Sequence, residues 1–288
     1  MFNQVIFYNH FGSGDVFESR EFVKAWMKIV PSNSYHYAHS KNERILLDIP
    51  NLNFKSITHH MRTMSSVMDD SNGNLYVNTW IGRDGKYVLP GIGCTVEKLF
   101  QMHNDMLSGY GQLPGSPIDY IPDIDYSKYN IGNVKKFMKK HPEEKIFIDN
   151  GIVQSNQAMN FPFHNIIYRI ASSNKDKCFI VSQALPLEVD NVFPASYVIK
   201  SDGWGFDLNE LSYISTHCST LIGRNSGPHV YSQVKKNVMD SGKKLLSFTY
   251  EQQGSSFVVN TEVGIRKYWS NSVDEESVVK KIGEVINE

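Results

Sequence analysis

Short apolar runs alternate with amphipathic helical patterns along most of this chain. Runs such as "VIFY" at 5–8, "KIFID" at 145–149 and "TLIG" at 220–223 are each followed by a loop of Gly, Asn, Ser or Asp, and then by apolar residues three or four apart. Strands that alternate with helices in this order usually pair in parallel, because each helix carries the chain back across the sheet. The alternation therefore predicts an α/β fold.

The alternation is interrupted once, at residues 109–130, a stretch rich in Pro, Gly and Tyr. A chain of 288 residues is long for one hydrophobic core and suits two. We predict two Rossmann-like domains, 1–130 and 131–288. The amphipathic helix that ends the chain either completes the second domain or packs back on the first.

Several local interpretations accompany this division. "YVIK" at 197–200 is predicted as a strand, and Val230, Val234 and Val238 predict one helix. His103 falls on the apolar stripe of a helix and is interpreted as a packed histidine, because no second ligand stands at helical spacing. The pair His59 and His60 is expected in a solvated loop.

Composition narrows the functional classes. No run of about 18 apolar residues occurs and the N-terminus has no basic leader, so a cytoplasmic protein without a membrane span is expected. Cys94, Cys178 and Cys218 are far apart and are predicted to be buried thiols. A net charge of −1 and a pI of about 6.8 provide no overall attraction to nucleic acid.

The loop "GRNSGPH" at 223–229 lies between a predicted buried strand and a helix. Gly223 and Gly227 permit close approach of the backbone, and free N–H groups at a helix N-terminus attract anions. A well-capped turn without a ligand explains the same residues equally well. Both interpretations stay open at this point.

"HFGSGD" at 10–15 has similar geometry after the first strand. It is not G-x-G-x-x-G, because Phe17 takes the third glycine position, and it lacks the lysine of a P-loop. Asp15 is either a helix cap or a general base at the carboxyl edge of a sheet. His10 orients that acid or contacts the acceptor, and a surface or hydrogen-bonded histidine without such a role explains it equally well. Arg20 pairs with Asp15 or contacts a substrate phosphate, and the simple helix salt bridge is the preferred interpretation.

Together these two loops resemble the GT-B glycosyltransferases, most closely the lipopolysaccharide heptosyltransferases. In that family the first strand ends in a G-D turn, and the second domain carries an L-x-E-like helix, a strand and a D-[ST]-G-x-x-H loop. The matching residues here are Gly14 and Asp15, the predicted helix 207–214, and Asn225, Ser226, Gly227 and His229.

The resemblance implies two Rossmann-like domains that face each other across a cleft. It implies sugar transfer from a nucleotide-sugar donor to an acceptor hydroxyl, with Asp15 as the base, His10 nearby, inversion at the sugar, and neither metal nor cofactor beyond the donor. The donor would be bound by Gly14, Asn150, Gly151, Ser155, Asp207, Arg224, Asn225, Ser226, Gly227 and His229. The acceptor implied is a bacterial glycan; a nucleic-acid acceptor is disfavoured by the charge.

Two departures from the family pattern qualify these implications. Asn225 stands where the family has Asp, and "DNGIVQSNQ" at 149–157 has no lysine, so Arg224 is the candidate for the missing positive charge. Two other functions stay open: a nucleotide-sugar epimerase of the same fold and a noncatalytic nucleotide-binding module. Asp123 and Asp125 form a D-x-D pattern that would instead indicate a metal-dependent site.

Overall fold

The computed structural model describes residues 1–63, 67–80, 95–154, 157–186, 188–200, 207–225 and 227–288. Ser155, Ser226 and Cys94, named above, lie outside these residues. The described chain divides into two compact units, the first extending to Asp123 and the second beginning at Ile124. Each unit is built on its own sheet.

The first unit has a five-stranded sheet in the order β3-β2-β1-β5-β4. Its elements are β1 (Gln4–Tyr8), α1 (Ser13–Glu18), α2 (Arg20–Ile29), β2 (Tyr35–His39), β3 (Leu52–Ser56), β4 (Val67–Asp69), β5 (Asn74–Asn78) and α3 (Val96–Leu107). All strand pairs are parallel except β4 with β5. The strand order reverses beside β1, so the carboxyl ends of β1 and β5 flank the topological switch point.

Apolar faces of the helices cover this sheet. Helix α2 buries Phe22, Val23 and Trp26 and ends at Ile29. Val30 is its C-cap and precedes Pro31, which lacks the N–H that a helix interior needs. His103 of α3 is fully buried, and its Nδ1 accepts a hydrogen bond from Trp26 Nε1 at 2.9 Å. Burial lowers the pKa of His103 to about 3. The prediction of a packed histidine is confirmed.

The second unit has a six-stranded, wholly parallel sheet in the order β11-β10-β9-β6-β7-β8. Its elements are α4 (Gly132–Lys140), β6 (Lys145–Asp149), α5 (Phe163–Ser173), β7 (Cys178–Val181), β8 (Val192–Pro194), α6 (Ala195–Ile199), α7 (Leu208–Ser215), β9 (Thr220–Arg224), α8 (Pro228–Tyr231), α9 (Lys235–Val238), β10 (Lys244–Phe248), β11 (Arg266–Ser270) and α10 (Glu275–Asn287). This is the 3-2-1-4-5-6 order of dinucleotide-binding domains, with its switch point between β6 and β9.

Two local predictions are wrong. Residues 197–200 belong to α6 and its end, not to a strand, because a four-residue apolar run does not distinguish a strand from a buried helical turn. The single helix predicted over Val230–Val238 is two short helices. Val234 between them is extended, and the buried Gln233 bonds to Phe257 N and Ser256 Oγ, which takes the chain out of the helix.

Helix α10 begins at Asp274, whose carboxylate accepts a hydrogen bond from Ser277 N at 2.9 Å. Its apolar residues Val278, Ile282 and Val285 join the hydrophobic core of the second unit. Cys178 and Cys218 are buried free thiols, as predicted. Among the described residues, no helix has the length and apolar character needed to cross a bilayer.

Candidate functional site

A cavity of about 400 Å³ lies at the carboxyl ends of the central strands of the second sheet. It occupies the switch point, where open α/β sheets bind ligands. The described lining residues are Asp149, Gly151, Ile152, Ser182, Gln183, Ala195, Ser196, Ile199, Asp207, Leu208, Leu211, Gly227 and Pro228. These combine an apolar wall with hydroxyl, amide and carboxyl groups and include no Lys or Arg. This chemistry suits a sugar or nucleoside better than a bare anion.

Asp149, the last residue of β6, is held by three hydrogen-bond donors. Its Oδ1 accepts from Ser182 Oγ at 2.6 Å and from Gly151 N at 3.1 Å, and its Oδ2 accepts from His229 N at 3.2 Å. Burial nevertheless raises the pKa of this carboxyl above its usual value, against the opposing effect of these donors. Asp149 thus joins three loops at the floor of the cavity.

Asn150 fastens the loop after β6 to the loop after β7. Its Oδ1 accepts from Gln183 N at 2.8 Å, and its Nδ2 donates to Gln183 O at 3.0 Å. Asn150 does not line the cavity, whereas the adjacent Gly151 does. Of these two predicted donor-binding residues, only Gly151 is therefore placed to touch a ligand in the cavity.

Two glycines of the loop after β9 are required by geometry. A Cβ at Gly223 would lie 2.9 Å from the Cβ atoms of both Asp149 and His229. Gly227 has φ +49° and ψ −126°, a backbone conformation that L side chains rarely adopt. Gly227 lines the cavity, and Pro228 follows it as the first residue of α8.

His229 is fully buried beneath this loop. Its ring bonds to Ser247 Oγ through Nε2 at 2.8 Å, and burial lowers its pKa to about 3. A neutral histidine at this depth supports the loop through its backbone bond to Asp149. The structure does not bring its ring into the lining of the cavity.

Arg224 and Asn225 are also directed away from the cavity. Arg224 donates to the carbonyl groups of Phe161, Asn150 and Gly151, and burial lowers the pKa of its guanidinium. Asn225 donates to Gly254 O at 2.7 Å and accepts from Gln233 Nε2 at 3.0 Å. Both side chains are engaged with protein atoms, so they position the loops around the cavity.

Asp207 lies at the N-cap of α7 and lines the cavity, but its side chain makes no capping hydrogen bond. Its backbone carbonyl accepts from Leu211 N at 2.7 Å. An N-cap acid normally satisfies a free N–H of the first turn. Here the carboxylate is positioned beside the cavity without that capping bond.

In the first unit, Asp15 lies in the first turn of α1, directly after the switch-point strand β1. Its Oδ2 accepts from Gly12 N at 2.7 Å, and a Cβ at Gly12 would lie 2.8 Å from this same oxygen. Burial raises the pKa of Asp15 to about 6, although the bond from Gly12 and the charge of Lys41 both lower it. Gly14 precedes it within α1. Asp15 can therefore exchange a proton near neutral pH.

The sequence interpretation missed a second acid beside Asp15. Glu18 is one helical turn further along α1 and is 7% exposed. Burial, together with the charge of Asp15, raises the pKa of Glu18 well above its usual value. The spacing of three residues in a helix was the available signal. The charge of Asp15 therefore opposes ionisation of Glu18.

The other predicted residues of this region have clear positions. The His10 ring stacks on Phe11 with centroids 4.5 Å apart. Arg20 is fully buried and pairs with both carboxylate oxygens of Asp48, not with Asp15. The prediction of a helix salt bridge between Arg20 and Asp15 is therefore wrong, because Arg20 joins α2 to a distant loop through Asp48.

Asp123 and Asp125 of the D-x-D pattern both form hydrogen bonds with protein atoms. Asp123 N donates to Glu21 Oε1, and Asp125 Oδ1 accepts from Ser127 N at 3.0 Å. In the described part of the chain, no group of three or more His, Cys, Asp and Glu side chains is arranged to hold a metal ion. His59 and His60 are exposed.

Similarity to known proteins is found in structure and not in sequence. No protein-family model matches the sequence, and no curated protein matches it. Among solved structures, a glycosyl transferase family 9 protein from Veillonella parvula has a TM-score of 0.55 at 12% identity, over 99% of this chain and 90% of that one. ADP-heptose LPS heptosyltransferase II from Escherichia coli has a TM-score of 0.56 at 10% identity, over 99% and 98%.

A third similar structure, assigned as a UDP-N-acetylglucosamine 2-epimerase from Listeria monocytogenes, has a TM-score of 0.50 at 9% identity, over 100% of this chain and 89% of that one. At these identities the similarity establishes the fold alone. The chain has the GT-B fold, as the resemblance predicted, and both transferases and an epimerase are among the proteins that share it.

Proposed function

We propose that this protein is a glycosyltransferase that moves a sugar from a nucleotide-sugar donor to an acceptor hydroxyl. The observation that carries the proposal is the cavity at the switch point of the second sheet, in a chain with the GT-B fold over nearly its whole length. Its apolar wall suits the base, and Asp207 offers a carboxylate to ribose hydroxyls. The donor nucleotide is assigned to this cavity.

Asp15 is proposed as the general base, with His10 beside it. The acceptor oxygen attacks the anomeric carbon, its proton passes to Asp15, and a new C–O bond forms. The bond from the anomeric carbon to the diphosphate breaks, and the nucleoside diphosphate leaves with the electron pair. Direct attack with one base inverts the anomeric centre. A base with a pKa of about 6 is mostly ionised at pH 7 yet basic enough to accept a proton.

In the proposed reaction no step goes through a metal ion, and the donor is the only small molecule required besides the acceptor. The backbone N–H of Gly227 is the proposed partner of the leaving diphosphate, since a preorganised dipole stabilises developing charge. A cytoplasmic location and a glycan acceptor belong to the same proposal.

A nucleotide-sugar epimerase is the second candidate, favoured by the epimerase with the same fold. Incubation of the protein with a panel of nucleotide sugars, followed by ³¹P and ¹H NMR, separates the two. A transferase releases nucleoside diphosphate faster when an acceptor glycan is added. An epimerase yields a rearranged nucleotide sugar or free sugar without any acceptor. If neither product forms and no nucleoside diphosphate binds, the proposed function is wrong.

A further inference from the structure

A second cavity, also of about 400 Å³, lies within the first unit. It is bounded by β2, β3 and the chain after β2, and none of the predicted site residues lines it. Tyr37, His39, Glu43, Arg44, Asn53 and Phe54 provide its polar and aromatic surface. We propose that this cavity binds a neutral pyranose ring of the acceptor. The inference rests on the proposed function, because it names the acceptor class for that reaction.

The aromatic surface follows from strand register. Tyr37 and His39 are two residues apart on β2 and therefore share one face of the sheet, and Phe54 of β3 pairs with Tyr37. Phe54 is 40% exposed as a residue, and its ring meets the His39 ring edge-on, with centroids 4.9 Å apart. An exposed ring face at a cavity wall suits the C–H face of a pyranose, which is the apolar side of an otherwise polar ligand.

His39 supplies a defined hydrogen-bond donor. The residue is 2% exposed, and its Nδ1 accepts from Lys41 N at 3.1 Å. Burial lowers the pKa of His39 to about 4, so the ring is neutral at pH 7 and carries its hydrogen on Nε2. Within the described part of the chain, Nε2 has no protein partner, which leaves its N–H for a hydroxyl oxygen.

The opposite charges of the side chains that line this cavity indicate a neutral ligand. Glu43 and Arg44 are consecutive and opposite in sign, so the charged side chains of the cavity balance. A carboxylate accepts from hydroxyl groups and a guanidinium donates to them. A phosphorylated or carboxylated sugar would meet Glu43 as well as Arg44. A neutral sugar uses both side chains without repulsion.

The segment that lines this cavity also reaches the proposed base. Lys41 lies between His39 and Glu43 in sequence, and its positive charge lowers the pKa of Asp15. The ion pair of Arg20 with Asp48 ties the start of α2 to the chain just after Arg44. An acceptor ring in this cavity would therefore be bound by the same segment that places a charge beside Asp15.

Saturation-transfer NMR of the full chain tests the proposal. The probes are methyl pyranosides of glucose, galactose, mannose and N-acetylglucosamine, with methyl glucuronide as the anionic comparison. Phe54→Ala and Arg44→Gln remove the aromatic face and the guanidinium. Tyr250→Ala and Lys140→Gln are matched controls at exposed positions of the second unit. Melting temperatures confirm that each variant is folded.

We expect transfer to at least one neutral pyranoside, at least a fivefold loss in Phe54→Ala and Arg44→Gln, and no loss in the controls. Absence of transfer with every neutral pyranoside, preference for the glucuronide, or an unchanged signal in Phe54→Ala overturns the proposal. Nucleoside diphosphate binding, measured on the same samples, separates the two failures. If it persists, only the acceptor cavity is wrong; if it is absent too, the proposed function fails.

Discussion

The two units hold an acid near the switch point of each sheet in different ways. Asp149 of the second unit accepts three hydrogen bonds and joins three loops. Asp15 of the first unit accepts from Gly12 N and has no such partners in other loops within the described residues. Burial raises the pKa of both acids, that of Asp15 to about 6. An acid with many donors fixes a scaffold, whereas one with few partners can exchange a proton. This difference agrees with the proposed roles, ligand binding in the second unit and proton transfer in the first.

The largest effect is expected on kcat, when Asp15 is replaced by its amide. Asp15→Asn should lower kcat by about 10²–10⁴-fold, the usual contribution of a general base, with nucleoside diphosphate affinity unchanged. Steady-state kinetics and calorimetry measure the two quantities. Loss of affinity without loss of kcat would contradict the proposed role of Asp15.

Asp149→Asn should instead lower the stability of the chain and its affinity for nucleoside diphosphate. Both carboxylate oxygens accept backbone N–H groups, so either orientation of the amide places an NH₂ against a donor. An unsatisfied buried donor costs about 1–3 kcal/mol. Urea unfolding should show this loss, together with weaker nucleoside diphosphate binding. A variant as stable as the natural chain would show that the hydrogen bonds of Asp149 do not hold these loops together.

Gly223→Ala tests how closely the loops of the second unit are packed. The added Cβ would lie 2.9 Å from two side chains, and such overpacking costs about 1–3 kcal/mol of unfolding free energy. Gly283→Ala in α10 is the control, since no atom lies within 4 Å of its Cβ. There the substitution should stabilise the chain by up to about 1 kcal/mol. Equal effects at the two sites would refute the packing argument.

Asn225→Asp introduces the acid that the lipopolysaccharide heptosyltransferases have at the corresponding position of the resemblance, and tests whether residue 225 contacts the donor sugar. The carboxylate could not donate to Gly254 O and would face that carbonyl instead. We expect a loss of about 1–3 kcal/mol in unfolding free energy and an unchanged order of preference among donor sugars. Asn271→Asp, at an exposed position, controls for the added charge. A changed sugar preference would mean that residue 225 contacts the sugar.

The pH dependence of activity and of stability tests the role proposed for Asp15. Activity should fall as pH drops through about 6, because protonated Asp15 cannot accept a proton. The free energy of unfolding depends on pH in the opposite direction from activity. The folded pKa of Asp15 lies above its ordinary value of 3.8, so its protonation contributes stability that is complete below about pH 4 and is lost as pH rises through about 6. The free energy of unfolding of the natural chain, relative to that of Asp15→Asn, should therefore decrease between about pH 4 and pH 6. A difference that does not change with pH would contradict this expectation.

Much of the fold could be predicted from the sequence. The strands "KIFID", "TLIG" and "VIFY" are continuous apolar runs, as central parallel strands require, and each was found within one residue or so of its predicted position. Strands β2 and β3, "YHYAH" and "LNFKS", lack that signal because they lie toward the edge of the sheet and carry polar side chains. They were missed, and with them the second cavity.

The candidate site was predictable in part. Gly151, Asp207 and Gly227 do line the cavity, because residues at the carboxyl ends of strands and at helix starts meet at a switch point. Asn150, Arg224, Asn225 and His229 also gather there, but their side chains bond to protein atoms. Which polar group faces a ligand depends on contacts between distant residues, such as Asp149 with His229, and local sequence does not specify those contacts.

Nucleoside diphosphate affinity, measured by calorimetry in the presence of EDTA, tests the division between the units most directly. The samples are the natural chain, Asp15→Asn, and Leu211→Trp, which fills the cavity of the second unit. We predict that one nucleoside diphosphate binds the natural chain and Asp15→Asn equally, and binds Leu211→Trp at least tenfold more weakly. Binding to none of them, or an equal loss in Asp15→Asn and Leu211→Trp, would contradict the account.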